Sequence, residues 1–236
     1  VTDKDPPAAP FTLAGFRSGV FRAAILVPSV AMYGVAFGIM AAAAGLSTLE
    51  SLLFSGLVNA GGAQMASLQA WTEPVSLVAV GLTTLAMNSR YLLLGAALRP
   101  WYRGVPAYQA YPSLFVMGDG NWALALREYK DDRHDAAFIL GSGLVLWFAW
   151  VGTTAFGHVF GQIMGDPAEY GADFMLAAFF ATMIVPFFRS AGQLLPLLIA
   201  VAVAVVVERH VSGPWHVIAG ALAGSLVGAL RHGDKR

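Results

Sequence analysis

No cysteine occurs among the 236 residues. That removes disulfide frameworks, Cys-ligated zinc, iron–sulfur clusters and thiol nucleophiles together. Charge is scarce as well. Asp, Glu, Lys and Arg make up 12% of the chain, about half of the roughly 25% found in an average soluble domain. Such a fraction is too small to wet a globule of 24.9 kDa, which argues against an ordinary cytosolic enzyme. The formal net charge is zero, so no basic surface invites nucleic acid. Disorder is excluded too, because it needs low hydrophobicity and 57% of this chain is hydrophobic. There is no HExxH and no Gly-rich phosphate loop, so metalloprotease and nucleotide-driven chemistry lack support. His134, His158, His210, His216 and His232 show no ligand spacing. No metal, no cofactor and no enzymatic activity are expected. His158, in a long apolar stretch, reads more readily as a satisfied packing residue than as a pore residue.

What is present is long apolar sequence. Eight stretches stand out, at 23–45, 51–71, 75–98, 109–126, 136–164, 174–188, 190–207 and 214–230. Arg90 and Asp119 alone are charged inside them. A bilayer imposes that segregation, since a charge at the hydrocarbon centre costs about 3 kcal/mol or more. Most stretches approach the roughly 20 residues that a spanning helix needs. The fold class is therefore an all-α polytopic membrane protein of about eight transmembrane helices, or seven if 109–126 is re-entrant. Residues 1–10 are polar and Pro-rich, and no cleavable signal is expected there.

Basic residues set the expected orientation. Eight spans with both termini cytoplasmic put Lys4, Arg17, Arg22, Arg127, Lys130 and Arg133 inside, with Arg189, Arg231, Lys235 and Arg236. Arg99, Arg103 and Arg209 then fall outside. The run 131–135 reads as a solvated loop.

Small residues mark helix contacts. Gly220, Gly224 and Gly228 repeat at four-residue spacing, as do Gly34 and Gly38. Such spacing lets a neighbouring backbone approach closely. Ala36-Phe37-Gly38 recurs as Ala155-Phe156-Gly157, about half a chain later. This suits one transmembrane transporter domain, 1–236, built as a two-fold internal repeat of about four segments with halves 16–126 and 136–230.

Three places carry polar groups where lipid offers no hydrogen bonds. Ser55-Gly56 through Asn59, Gly61, Gly62 and Gln64 weakens a helix at mid-membrane. A broken helix is tolerated there only if buried or lining a cavity, and the freed amides of a half-helix suit a substrate carboxylate. The competing reading is close packing at the glycines, with Gln64 bonding a neighbour. Asn88-Ser89-Arg90 places a guanidinium in the outer third of its span, able either to snorkel or to fork a carboxylate. Asp119, flanked by Gly118, Gly120 and Asn121, is too short to snorkel. It can carry a proton, meet a substrate ammonium or pair with Arg90.

These stretches together resemble the AzlC family, the larger subunit of branched-chain amino acid transporters. The resemblance rests on Pro28 with 34–38, Ser55-Gly56 through Gly62-Ala63-Gln64-Met65, Asn88-Ser89-Arg90-Tyr91 and Asp119-Gly120-Asn121-Trp122-Ala123, with Gly171-Ala172-Asp173-Phe174 beyond. Tyr91 stands where the family pattern has His, and Gly120 where it has Glu. The resemblance implies secondary export, with uptake as the alternative, of branched-chain amino acids such as valine, leucine and isoleucine, with methionine. It also implies coupling to protons, a small AzlD-like membrane partner subunit and a bacterial cytoplasmic (inner) membrane location. The candidate substrate-binding residues are Asn59, Gly61, Gly62, Gln64, Asn88, Arg90, Asp119 and Asn121. An ion channel, or an intramembrane assembly protein or enzyme, is the alternative, although no nucleophile–base pair is visible.

Overall fold

The computed structural model describes residues 9–69, 71, 75–131, 133–164, 174, 178, 181, 191–211 and 215–233. The sixth expected span, 174–188, lies almost wholly outside them. The described residues form α-helices and short 3-10 turns, without strands. Large apolar side chains such as Leu85, Leu92, Leu93, Phe148 and Phe156 are exposed, whereas Ser51, Ser55, Gln64, Thr154 and His158 are fully buried. Apolar outside and polar inside is the distribution a lipid solvent selects. This is an all-α membrane protein.

The chain divides into two compact units, one of residues 1–64 with 89–167 and one of 65–88 with 168–236. In the first, α1 (Leu13–Ala23) runs through a 3-10 turn into α2 (Val27–Ala43), a candidate membrane span of 31 residues. The long helix opposite, Ala137–Ile163, is a second candidate of 27 residues. Both α1 and α2 lie along it. Glycines set the spacing: a Cβ at Gly19 would strike the Phe138 carbonyl, one at Gly38 the Thr154 carbonyl, and one at Gly157 the Val35 backbone. The contacts climb both chains in the same direction, so the two long helices are parallel.

Between them in sequence come two hairpins and one further span. Helix α3 (Thr48–Val58) starts with a Ser47–Glu50 capping box and ends at Asn59, in the left-handed region at φ 45°. Helix α4 (Gly61–Gln69) follows at once. His158, near the far end of the long helix, meets Leu46 and Thr48, whereas Trp147 meets Gly56. Gln64 then returns to Ser55, so the chain has reversed. Stretch 51–71 is a helix broken at Asn59, after which the first residues of α4 turn back towards α3. Helices α5 (Leu77–Asn88) and α6 (Arg90–Leu98) lead to a 3-10 turn ending at Tyr102, and residues Leu77–Tyr102 are the third candidate span. Helix α7 (Ala107–Phe115) rises to a turn at 116–118, and α8 (Asp119–Lys130) descends from it. Val116 lies beside Gly143, Asn121 bonds the Ile139 carbonyl and Glu128 bonds Arg133. Stretch 109–126 is therefore a helical hairpin with its turn at 116–118. The long helix Ala137–Ile163 is α9.

The loops confirm the levels. Ala9 N–H donates to the Arg103 carbonyl, Ala136 N–H to the Pro10 carbonyl, and Thr12 bonds Asp135. Arg103 thus shares the end that carries Arg22 and Arg133, which corrects its assignment, and that of neighbouring Arg99, to the opposite side. At that end Glu128 is buried between Arg22 and Arg133, and Arg133 also holds Asp131 at 2.7 Å. Arg22 and Glu128 tie α1 to α8, and Arg133, from the run expected to be solvated, joins them through Glu128. The Glu128 hydrogen bonds also raise the Arg133 pKa above its ordinary value.

In the second unit, α10 (Ala191–His210) and α11 (Trp215–Gly233) pack on each other. A Cβ at Gly220 would meet Ala200 and Ala204, and one at Gly224 would meet Ala200 and Pro196. The pair is antiparallel, and its glycine face serves internal packing.

Candidate functional site

Two half-helix tips meet in the middle of the first unit. Asn59 Nδ2, on the α3–α4 turn, donates to the Phe115 carbonyl at 3.2 Å, at the end of α7. Four residues beyond Phe115, Asp119 opens α8. Its Oδ2 lies 2.9 Å from Arg90 Nη2, and Arg90 opens α6. One turn further on, Trp122 Nε1 donates to the Leu94 carbonyl at 3.1 Å, holding α6 and α8 side by side.

The charges are placed unequally with respect to their helices. Asp119 in the first turn of α8 sits at the positive end of the helix dipole, which favours a carboxylate. Arg90 in the first turn of α6 opposes that helix's dipole and depends on Asp119 for compensation. From Arg90 to Tyr102, the last residue of the candidate span, the rise is about 18 Å. The Arg90 guanidinium stands over the Tyr91 ring at 5.4 Å, and its Nε is buried without a partner. The two side chains remain 30% and 47% exposed. The pair is accessible and keeps an unused donor.

The other sequence candidates divide by what they touch. Gly61 begins α4 against the Trp150 indole, where a Cβ would lie 2.7 Å from the ring. Gly62 is buried beside it, and the first amides of α4 have no intrahelical acceptor. Gln64 is fully buried, its Nε2 donating to Ser55 Oγ at 3.3 Å while Oε1 has no partner. The close-packing and broken-helix readings of this stretch both describe it. Asn121 is committed: Gly118 N–H donates to its Oδ1 at 2.7 Å, and its Nδ2 donates to the Val116 and Ile139 carbonyls. It shapes the α7–α8 turn and leaves no group for a ligand. Asn88, the last residue of α5 in the second unit, has a buried Oδ1 without a partner.

Sequence reasoning passed over a polar seam between α3 and α9. Ser55 Oγ and Thr154 Oγ1 are 2.9 Å apart, and Ser51 is buried one turn earlier on α3. His158 contacts the Leu46 carbonyl through Nε2 at 2.8 Å and Thr48 through Nδ1 at 3.2 Å. It is a satisfied packing residue. Recurrence of Ser51 with Ser55, and of Thr154 with His158, at four-residue spacing was the signal available. Two cavities, of about 300 and 780 Å³, open at the basic end around Glu128, away from the Arg90–Asp119 pair. Among the described residues no group of three or more His, Asp or Glu side chains is placed to hold a metal.

Comparison with known proteins gives a consistent family. The AzlC family model, described as AzlC protein, matches residues 26–164, more than half of the chain. The chain is 29% identical to "Inner membrane protein YgaZ" of Escherichia coli (strain K12), over 96% of this chain and 94% of that protein. It is 26% identical to an "Uncharacterized membrane protein" of Archaeoglobus fulgidus, over 73% of this chain and 76% of that one. It is 24% identical to "Branched-chain amino acid transport protein AzlC" of Bacillus subtilis (strain 168), over 73% of this chain and 67% of that protein. No solved structure matches.

Proposed function

The chain belongs to the AzlC family, and from that premise we propose that it is a secondary transporter, an exporter, of branched-chain amino acids such as valine. The observation that carries the reading is the accessible Arg90–Asp119 pair beside the meeting point of two half-helix tips. An amino acid is a zwitterion, and an ion pair is its complement. The substrate carboxylate takes the guanidinium, the ammonium takes Asp119, and neither protein charge is left uncompensated. The free amides of α4 at Gly61 and Gly62, with Gln64 behind them, support the carboxylate. Apolar side chains would contact the aliphatic part, with only about 1–3 kcal/mol per methylene to discriminate, so valine, leucine and isoleucine should compete.

The name of the Bacillus subtilis relative supports the substrate class. Clustering of Arg22, Arg103 and Arg133 at the N-terminal end of the first unit supports a cytoplasmic N-terminus by the positive-inside rule. The name of the Escherichia coli relative supports the inner membrane. Parallel α2 and α9, with Gly38 against Gly157, support a duplicated architecture, because equivalent residues of two copies meet at a two-fold axis. Proton coupling and a small second membrane subunit complete the proposal on the family resemblance.

The test is counterflow of labelled valine in proteoliposomes. Arg90→Lys and Asp119→Asn should each lower the rate at least tenfold, with Gln64→Ala lowering it less. Wild-type rates in all three, at equal incorporation, would sink the site. A saturable rate in the wild type argues against a channel.

A further inference from the structure

The larger cavity at the basic end, about 780 Å³, lies away from the Arg90–Asp119 pair and is lined by two helix faces. Phe21, Arg22 and Ile25 come from α1 and the 3-10 turn after it. Leu124, Arg127, Glu128 and Asp131 come from α8 and its end, and their spacing of three, four and seven residues puts them on one face. The lining is graded along these helices. Arg22 and Glu128 pair at one level. About one turn further into the span stand Ile25 and Leu124, and one turn outward Asp131 closes α8. Phe21 and Ile25 are largely exposed, so the inner part of the cavity opens onto hydrocarbon. Tyr129, exposed beside Glu128, is a residue type that collects at the headgroup level.

The charges around the cavity do not cancel. Glu128 is buried between Arg22 and Arg133, and Arg133 also holds Asp131 at 2.7 Å, so both carboxylates are engaged. Arg22 uses Nη1 on Glu128 and stays half exposed. The Arg127 side chain is exposed and makes no ion pair among the described residues. Three guanidiniums against two carboxylates leave one positive charge. We infer that this cavity binds a monoanionic phospholipid of the leaflet at this end. Its phosphate diester takes Arg127 and the free edge of Arg22, whose planar forks match phosphate oxygens. An acyl chain runs inward along Phe21, Ile25 and Leu124. Basic pockets between helices at the membrane surface suit such headgroups. A free phosphate would leave the apolar half of the cavity unused, and a zwitterionic lipid would bring an ammonium to carboxylates already taken. The bound lipid joins α1 to α8, the helix that opens on Asp119.

The experiment uses the full chain in detergent without any amino acid, so its outcome is independent of valine counterflow. Native mass spectrometry measures the affinity for phosphatidylglycerol and for phosphatidylcholine with the same acyl chains. The wild-type chain should bind phosphatidylglycerol about fivefold more tightly, the worth of one basic residue at an anionic surface. Arg127→Gln should abolish that preference. Arg17→Gln, which removes an exposed arginine of α1 outside the cavity, should leave it intact. Equal affinity of the wild-type chain for the two lipids would overturn the proposal. Equal losses in Arg17→Gln and Arg127→Gln would overturn it too, since the preference would then be diffuse surface charge. So would displacement of phosphatidylglycerol by inorganic phosphate at constant ionic strength, the cavity then being a site for a free anion.

Discussion

Asn59 is the residue on which the site's geometry turns. Among the described residues it alone has a positive φ without being glycine, and that conformation is what ends α3 and lets α4 start in a new direction. Its side chain also reaches Phe115, so backbone and side chain act together. Two substitutions separate them. Asn59→Gly and Asn59→Ala both lose the bond to Phe115, but only alanine must carry a Cβ into the left-handed region, at about 1 kcal/mol. Denaturant unfolding should find Asn59→Ala less stable than Asn59→Gly by that margin. Equal losses would mean that the turn does not depend on this backbone conformation.

At the scale of elements, the helix break was legible in the sequence and the reversal was not. Adjacent glycines with Asn59 and Gln64 announce a weak point, but a kinked span and a hairpin share that local signature. What separates them is where the second half packs: Gly61 on Trp150 and Gln64 on Ser55. The same holds around Gly118 and Asp119, where the sequence favours a span and keeps a re-entrant segment as the alternative. Glu128 was hidden for another reason. It sits in a charge-rich run that reads as loop, and only Arg22, distant in sequence, makes its burial tenable. The hairpin assignment can be tested directly because the chain has no native cysteine. Val105→Cys and Asp131→Cys flank α7–α8, and a membrane-impermeant maleimide should label both from the same face. Labelling from opposite faces would make 109–126 a crossing after all.

For the molecule as a whole, the low charge content correctly gave a membrane protein, and the two exceptional charges, Arg90 and Asp119, turned out to be partners. Distribution along the sequence found those charges. Their pairing needed α6 and α8 to lie side by side, which no local pattern encodes. The side assigned to Arg99 and Arg103 failed for the related reason that counting spans presumes that every apolar stretch crosses. Once two stretches turn back, the basic residues of the first unit gather at one end.

The pairing of Arg90 with Asp119 has an electrical consequence. An empty site holding one cation and one anion is neutral, and the same site holding a zwitterion is neutral again. Neither the outward nor the return step of the cycle then moves net charge through the membrane field, which would otherwise contribute about 2.3 kcal/mol per elementary charge per 100 mV. Amino acid movement alone should be indifferent to voltage, and any current must come from a co-transported ion. Valine exchange in vesicles under an imposed diffusion potential should match exchange at zero potential. Net valine flux should respond to voltage with the charge of that ion alone.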